Sequence, residues 1–243
     1  MSIRRFLPII VLSIVLLPSA ARAQQFNLDL GESGPLTGRL IQLIVLVTVL
    51  ALAPSILVVL TSFTRIVIVL SLLRSAMGVQ QTPPNVVLIS LALFLTAFVM
   101  APTMQRGYDD GVAPLIAEEI EEREAFERSI APIHEFMRRH VRDTDLATFM
   151  DMAKIEQPET AEDTPLRALI PAFLINELRR AFEIGFLLFI PFLIIDIVMA
   201  SVLMSMGMMM LPPIIISLPF KLIFFALVDG WKLVSESLVQ SFG

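Results

Sequence analysis

The chain contains no cysteine. Disulfides, thiolate metal sites and a cysteine nucleophile are therefore excluded together. Histidine is nearly as scarce. His134 and His140 stand six residues apart, which puts them on different faces of a helix and leaves little for an imidazole-based metal centre. Charge is thin too: Asp, Glu, Lys and Arg make up 17% of 243 residues, against about 25% in a typical soluble domain. A net charge of −5 offers no basic face to nucleic acid. The motifs H-E-x-x-H, G-x-S-x-G and the P-loop do not occur, and several carboxylates of residues 106–183 lie in a polar, exposed setting with no sign of a perturbed pair. The chain reads as a non-enzyme without a cofactor, and as a single chain it is not an ATP-driven pump.

Apolar residues fill the space. They account for 56% of the chain, with mean hydropathy +0.80. No charged residue occurs in 40–64 or 75–105, and Asp196 is the only one in 184–220. Each run is long enough to cross a bilayer, and the last, extended a little, crosses twice. This predicts four apolar helices, over about 41–73, 84–103, 184–206 and 213–235. Pro54, Pro191 and Pro219 are expected to bend the first, third and fourth, and Thr82-Pro83-Pro84 to start the second with Thr82 as its cap. The expected fold is an all-α membrane protein of kinked helical hairpins.

The charges that exist are segregated. Residues 106–183 hold 28 of the 41, with 18 acidic and 10 basic. This acidic insert is itself helical in pattern. Glu119–Arg123 and Glu124–Arg128 are spaced as i,i+4 pairs, Pro132 is expected to interrupt, and further helices are expected over about 133–142 and 145–155. Residues 156–164 read as a linker, and Thr164-Pro165 opens another helix. The acidic run suits either a docking face or a merely solvated helix.

At the start of the chain, Arg4-Arg5, an apolar run from Phe6 to Leu17 and Ala21-Arg22-Ala23 have the form of a signal peptide cleaved after Ala23. A short first membrane helix is the alternative, but about a dozen apolar residues are too few. Residue 24 then lies outside the cytoplasm, Arg74 inside, and the acidic insert outside, in accord with the positive-inside rule. The expected organisation is 1–23 signal peptide, 24–39 mature N-terminal segment, 40–105 first hairpin, 106–183 insert on the periplasmic side and 184–243 second hairpin.

Two features of the second hairpin carry chemistry. Asp196 and Lys221 are the only charges between Glu183 and Asp229. An intramembrane charge costs about 2.5–3.5 kcal/mol on insertion scales and usually faces a partner or a cavity. Their midpoint falls in the turn around Gly207–Met209, so a hairpin folded there sets them at equal depth and predicts a buried ion pair. The alternative is a snorkelling Lys221 and a neutral Asp196. The turn also concentrates methionine: Met206, Met208, Met209 and Met210, with Gly207 and Pro212-Pro213 as its hinge. Thioethers are soft and adaptable. They suit a core turn, a Cu(I) site or a deformable seal around a pore.

Several longer motifs bear a resemblance. They are Thr64-Arg65-Ile66-Val67-Ile68-Val69-Leu70-Ser71-Leu72-Leu73-Arg74, Gln80-Gln81-Thr82-Pro83-Pro84-Asn85-Val86, Pro171-Ala172-Phe173-Leu174-Ile175-Asn176-Glu177-Leu178-Arg179-Arg180-Ala181-Phe182-Glu183-Ile184-Gly185-Phe186, the methionine turn through Pro213, Pro219-Phe220-Lys221-Leu222 and Asp229-Gly230-Trp231. Together they resemble the FliP family of the flagellar type III protein export gate, from about residue 36 onward. The resemblance implies a helical hetero-oligomeric channel of FliP copies with FliQ and FliR, in the bacterial inner membrane at the flagellar basal body. Much of the assembly would lie on the periplasmic side. It also implies neighbours of the FlhB and FlhA type and passage of unfolded flagellar subunits. In that family the methionine turn is the pore gasket and the hairpins are lifted largely out of the bilayer plane. From the residues alone, a Cu(I) or other small-solute transporter and a structural membrane scaffold remain as alternatives.

Overall fold

The computed structural model describes residues 36–243 apart from Gln80, Glu156, Gln157, Glu159 and Met209. The expected signal peptide and most of the segment after it lie outside the described residues. The chain divides into two units, residues 1–50 and 51–243. The described part of the first is the beginning of α1, Leu36–Leu60, an apolar helix that runs on into the second. There follow α2 Phe63–Ala76, α3 Asn85–Gly107, a π-helical turn Tyr108–Val112, α4 Ala113–Ile116, α5 Glu122–His140, α6 Asp143–Met152, α7 Leu166–Ser205, α8 Pro213–Leu227 and α9 Gly230–Gln240. No strand occurs among the described residues. Among the described residues three helices are long and apolar enough to cross a membrane, and the bent pair α8–α9 makes a fourth if it counts as one span.

The breaks fall at hydroxyls and turns more than at prolines. The helix expected over 41–73 passes through Pro54 and parts at Thr61-Ser62. There Thr61 Oγ1 donates to Leu57 O at 2.7 Å and Thr64 Oγ1 to Val58 O at 2.9 Å. Side-chain hydroxyls thus replace helical backbone donors at a buried joint. Pro132 does not interrupt α5, which is continuous and buries that proline. Thr82 is not the cap of α3: Pro84 occupies that position in an extended conformation, two residues closer to the helix. The third apolar helix begins at Leu166, not near 184, so one 40-residue helix joins the charged and apolar stretches. The last helix turns by 64° between α8 and α9, where Asp229 adopts φ 50°, while Pro219 lies inside α8. Arg123 pairs with Glu127 at 3.2 Å, because Glu119 precedes the first turn of α5; Arg128 pairs with Glu124 as expected from the spacing.

Two apolar clusters form the core of residues 51–243. The first gathers Ile66, Val69, Leu70 and Leu73 of α2 with Leu88, Ala92, Ala181, Phe192 and Leu238. Gly185 of α7 lets the two main helices meet closely: a Cβ there would stand 2.3 Å from Leu72 Cδ1. The second cluster lies in the insert, where Phe136, Met137, Leu146 and Met150 pack on Met100, Leu169 and Phe173. Of the insert's other apolar side chains, Ile116 and Phe126 are exposed in the single chain.

Candidate functional site

The methionine turn is built by the end of α7. Met206 is the last residue with helical geometry, and Gly207 takes φ +73°. Gly207 N–H donates to Met204 O at 3.1 Å and Met208 N–H to Leu203 O at 3.0 Å. This pair of bonds is a Schellman stop. A Cβ on Gly207 would meet nothing within 4 Å, so the glycine is required for its backbone angle and not for space. Pro212 is extended and Pro213 opens α8, where a missing N–H does no harm. Met206 and Met208 are exposed on this turn, and Met210 is 98% exposed. Met209 lies outside the described residues. Met206, Met208 and Met210 do not fill the core of the single chain.

Behind the turn, Asp196 and Lys221 come together. Lys221 Nζ donates to Asp196 Oδ2 at 2.6 Å, with the two side chains 5% and 25% exposed. Two further partners complete the group. Ser217 Oγ donates to Asp196 Oδ1 at 2.5 Å, and Lys221 Nζ donates to Ala76 O at 3.2 Å, at the end of α2. A cation on the last carbonyls of a helix also complements its dipole. Ser217 lies one turn before Lys221 on the same face of α8, a spacing visible in the sequence; the Ala76 carbonyl has no such signal.

A second buried pair has no local signal at all. Arg65 of α2 and Glu177 of α7, 112 residues apart, form a two-pronged ion pair, with Nε to Oε2 at 2.9 Å and Nη2 to Oε1 as the other prong. Arg65 Nη1 donates to Ser241 O at 2.8 Å, and its guanidinium lies 3.7 Å over the Phe242 ring. His140 Nε2 faces Phe242 O at 3.3 Å and Nδ1 faces Phe136 O at 2.7 Å, while His134 Nε2 faces Thr164 O at 2.7 Å. Both histidines are thus engaged with backbone. Among the described residues no cluster of three or more His, Asp or Glu could hold a metal ion. On the insert surface, the Arg106 guanidinium donating to Glu135 at 2.7 Å, with Arg139 beside it, holds that carboxyl below the usual carboxylate range.

Comparison with known proteins gives a consistent result. The FliP family model matches residues 46–238. The chain is 62% identical to the flagellar biosynthetic protein FliP of Caulobacter vibrioides over 232 residues, 95% of this chain and 87% of that one. It is 56% identical to the protein of the same name from Bacillus subtilis, over 83% of this chain and 91% of that one. For the Rhizobium meliloti protein the figures are 48%, 96% and 97%.

Proposed function

Because the chain belongs to the FliP family, we propose that it is a pore-forming component of the flagellar type III protein export gate. It passes unfolded flagellar subunits across the inner membrane, and Met206, Met208, Met209 and Met210 act as the seal. The observation that carries this reading is the exposure of Met206, Met208 and Met210 on a rigidly terminated turn between two apolar helices. Copies of that turn arranged around an axis place a band of thioethers in a channel. Such a band is apolar enough to exclude water and ions when shut, since hydrophobic constrictions gate by dewetting. Unbranched thioethers also conform to a passing polypeptide, which a β-branched ring does less well.

The partners in this reading are further copies of the chain, FliQ and FliR, with export-gate proteins of the FlhB and FlhA type beside them. The insert, residues 106–183, lies on the periplasmic side. The length of α7 supports this. Forty residues make about 60 Å of helix, twice the roughly 30 Å of a hydrocarbon core. The helix can cross and still hold its charged half outside. The exposed Ile116 and Phe126 then suit contacts with neighbouring subunits.

The test is ion conductance across membranes of cells expressing a chain lacking Met208–Met210, with assembly of the complex checked by mass. The expected result is a leak to ions and small solutes with protein export retained, because the turn seals and does not push. A leak no larger than wild type in an assembled complex would remove the seal.

A further inference from the structure

We propose that a cleft beside α7 binds the phosphodiester headgroup of an anionic membrane glycerophospholipid. The cleft measures about 390 Å³ and is lined by Arg65, Arg139, His140, Arg142, Asn176 and Arg180. Among the described residues no carboxylate lines it. Its volume is within the usual range for small-molecule sites, about 300–1,000 Å³. Arg65 is fully engaged with Glu177 and Ser241. The other three guanidiniums are not. Arg142 spends Nε and Nη2 on Asp145 and keeps Nη1. Arg180 spends Nη1 on Glu183, and Arg139 spends Nη2 on Glu135; each keeps two nitrogens. Several guanidinium donors facing one cleft match the oxygens of a phosphate.

A second observation points to a ligand. Asn176 is 2% exposed, and its Nδ2 donates to His140 O. Its Oδ1 is buried without a hydrogen-bond partner. A buried acceptor left unpaired is costly. Asn176 lines the cleft, so a headgroup hydroxyl that enters as this wall shifts can supply the missing donor. An anion of the phosphatidylglycerol type thus satisfies both needs.

The cleft also sits where a headgroup belongs. Along α7, Arg179, Arg180 and Glu183 are the last charges before a stretch that is apolar from Ile184 to Ile195. Ile184 lines the cleft itself. Phe186, Leu187 and Ile190 beyond it are exposed. Arg180, Ile184 and Leu187 follow one face of the helix. An acyl chain lies along that face while its phosphate sits among the arginines. Basic pockets at the edge of membrane helices bind anionic headgroups by this logic. The inference rests on the boundary at Arg180–Ile184 lying at the membrane surface, and stands apart from the seal.

Lipid binding to the detergent-purified complex, read by native mass spectrometry and by titration with phosphatidylglycerol, phosphatidylcholine or inorganic phosphate, provides the test. Phosphatidylglycerol should remain bound to the wild-type complex. Its affinity should fall roughly tenfold or more in the triple variant R139Q/R142Q/R180Q. The single variant R180Q, at a half-exposed position that leaves the buried pairs intact, should lose a smaller part in the same direction. Equal binding of phosphatidylcholine would overturn the proposal. So would undiminished phosphatidylglycerol binding in R180Q and the triple variant. Displacement of the lipid by millimolar phosphate alone would reassign the cleft to a soluble anion, and a wild-type complex that takes up no lipid would reassign it to a neighbouring subunit's carboxylate.

Discussion

Glu177 accepts both prongs of the Arg65 guanidinium in a space that leaves the carboxylate 0% and the arginine 3% exposed. This contact ties α2 to α7, and Arg65 extends it to the end of the chain through Ser241 and Phe242. Removing one partner of a buried pair strands the other, at a cost of about 3–5 kcal/mol. Glu177→Ala and Arg65→Ala should therefore each lower the thermal midpoint of the purified protein sharply. An apolar double replacement, Arg65→Met with Glu177→Leu, should do less harm than either single change. Equal midpoints for Glu177→Ala and wild type would show the pair to be dispensable.

The Asp196–Lys221 pair is expected to behave in the same direction. Asp196→Ala and Lys221→Ala should each impair motility and the yield of assembled complex. Exchange of the two residues should restore part of both. Ser217→Ala, which leaves the ion pair but strips one hydrogen bond from Asp196, should have the mildest effect. Motility plates and complex yield for the four variants decide the matter. Wild-type values for both single alanine variants would end this reading.

Gly185→Ala should destabilise the chain. The new methyl would overlap Leu72 Cδ1, and the helices must move apart. Overpacking of this kind costs about 1–3 kcal/mol. Leu72→Ala should rescue much of the loss when combined with it. Thermal unfolding of the two single variants and the double variant measures the coupling, and simple additivity would show that the two residues do not meet.

Topology can be tested cleanly because the chain has no cysteine of its own. Single cysteines at Glu122 and Glu159 should react with a membrane-impermeant thiol reagent in intact spheroplasts. Labelling only after the inner membrane is broken would place residues 106–183 on the cytoplasmic side.

Helix content and apolar character were legible in the sequence, because uncharged runs and i,i+4 spacing report directly on environment. So was the approach of Asp196 to Lys221, since a tight turn fixes which residues stand level on its two arms. The joints were not. Pro132 is the expected interruption, yet it sits inside a continuous helix, and the first apolar helix, expected over 41–73, parts at Thr61-Ser62. The cost of one missing N–H is small beside the packing of a whole helix, and hydroxyls can stand in for backbone donors. Arg65 and Glu177 were illegible for a different reason. Each looks like an ordinary charge at the edge of an apolar run, and only the packing of α2 on α7 shows that they meet.

The close passage of Gly185 by Leu72 has a consequence for where this pair of helices can live. Hydrophobic association needs water, and lipid tails compete as well as leucine for an apolar helix face. Contact at van der Waals range, together with a two-pronged ion pair, needs no water to hold it. The union of α2 and α7 is thus portable: it is equally at home among acyl chains, among other protein helices or at the boundary between them. Helices joined in this way need not exchange the contacts that define them when their surroundings change.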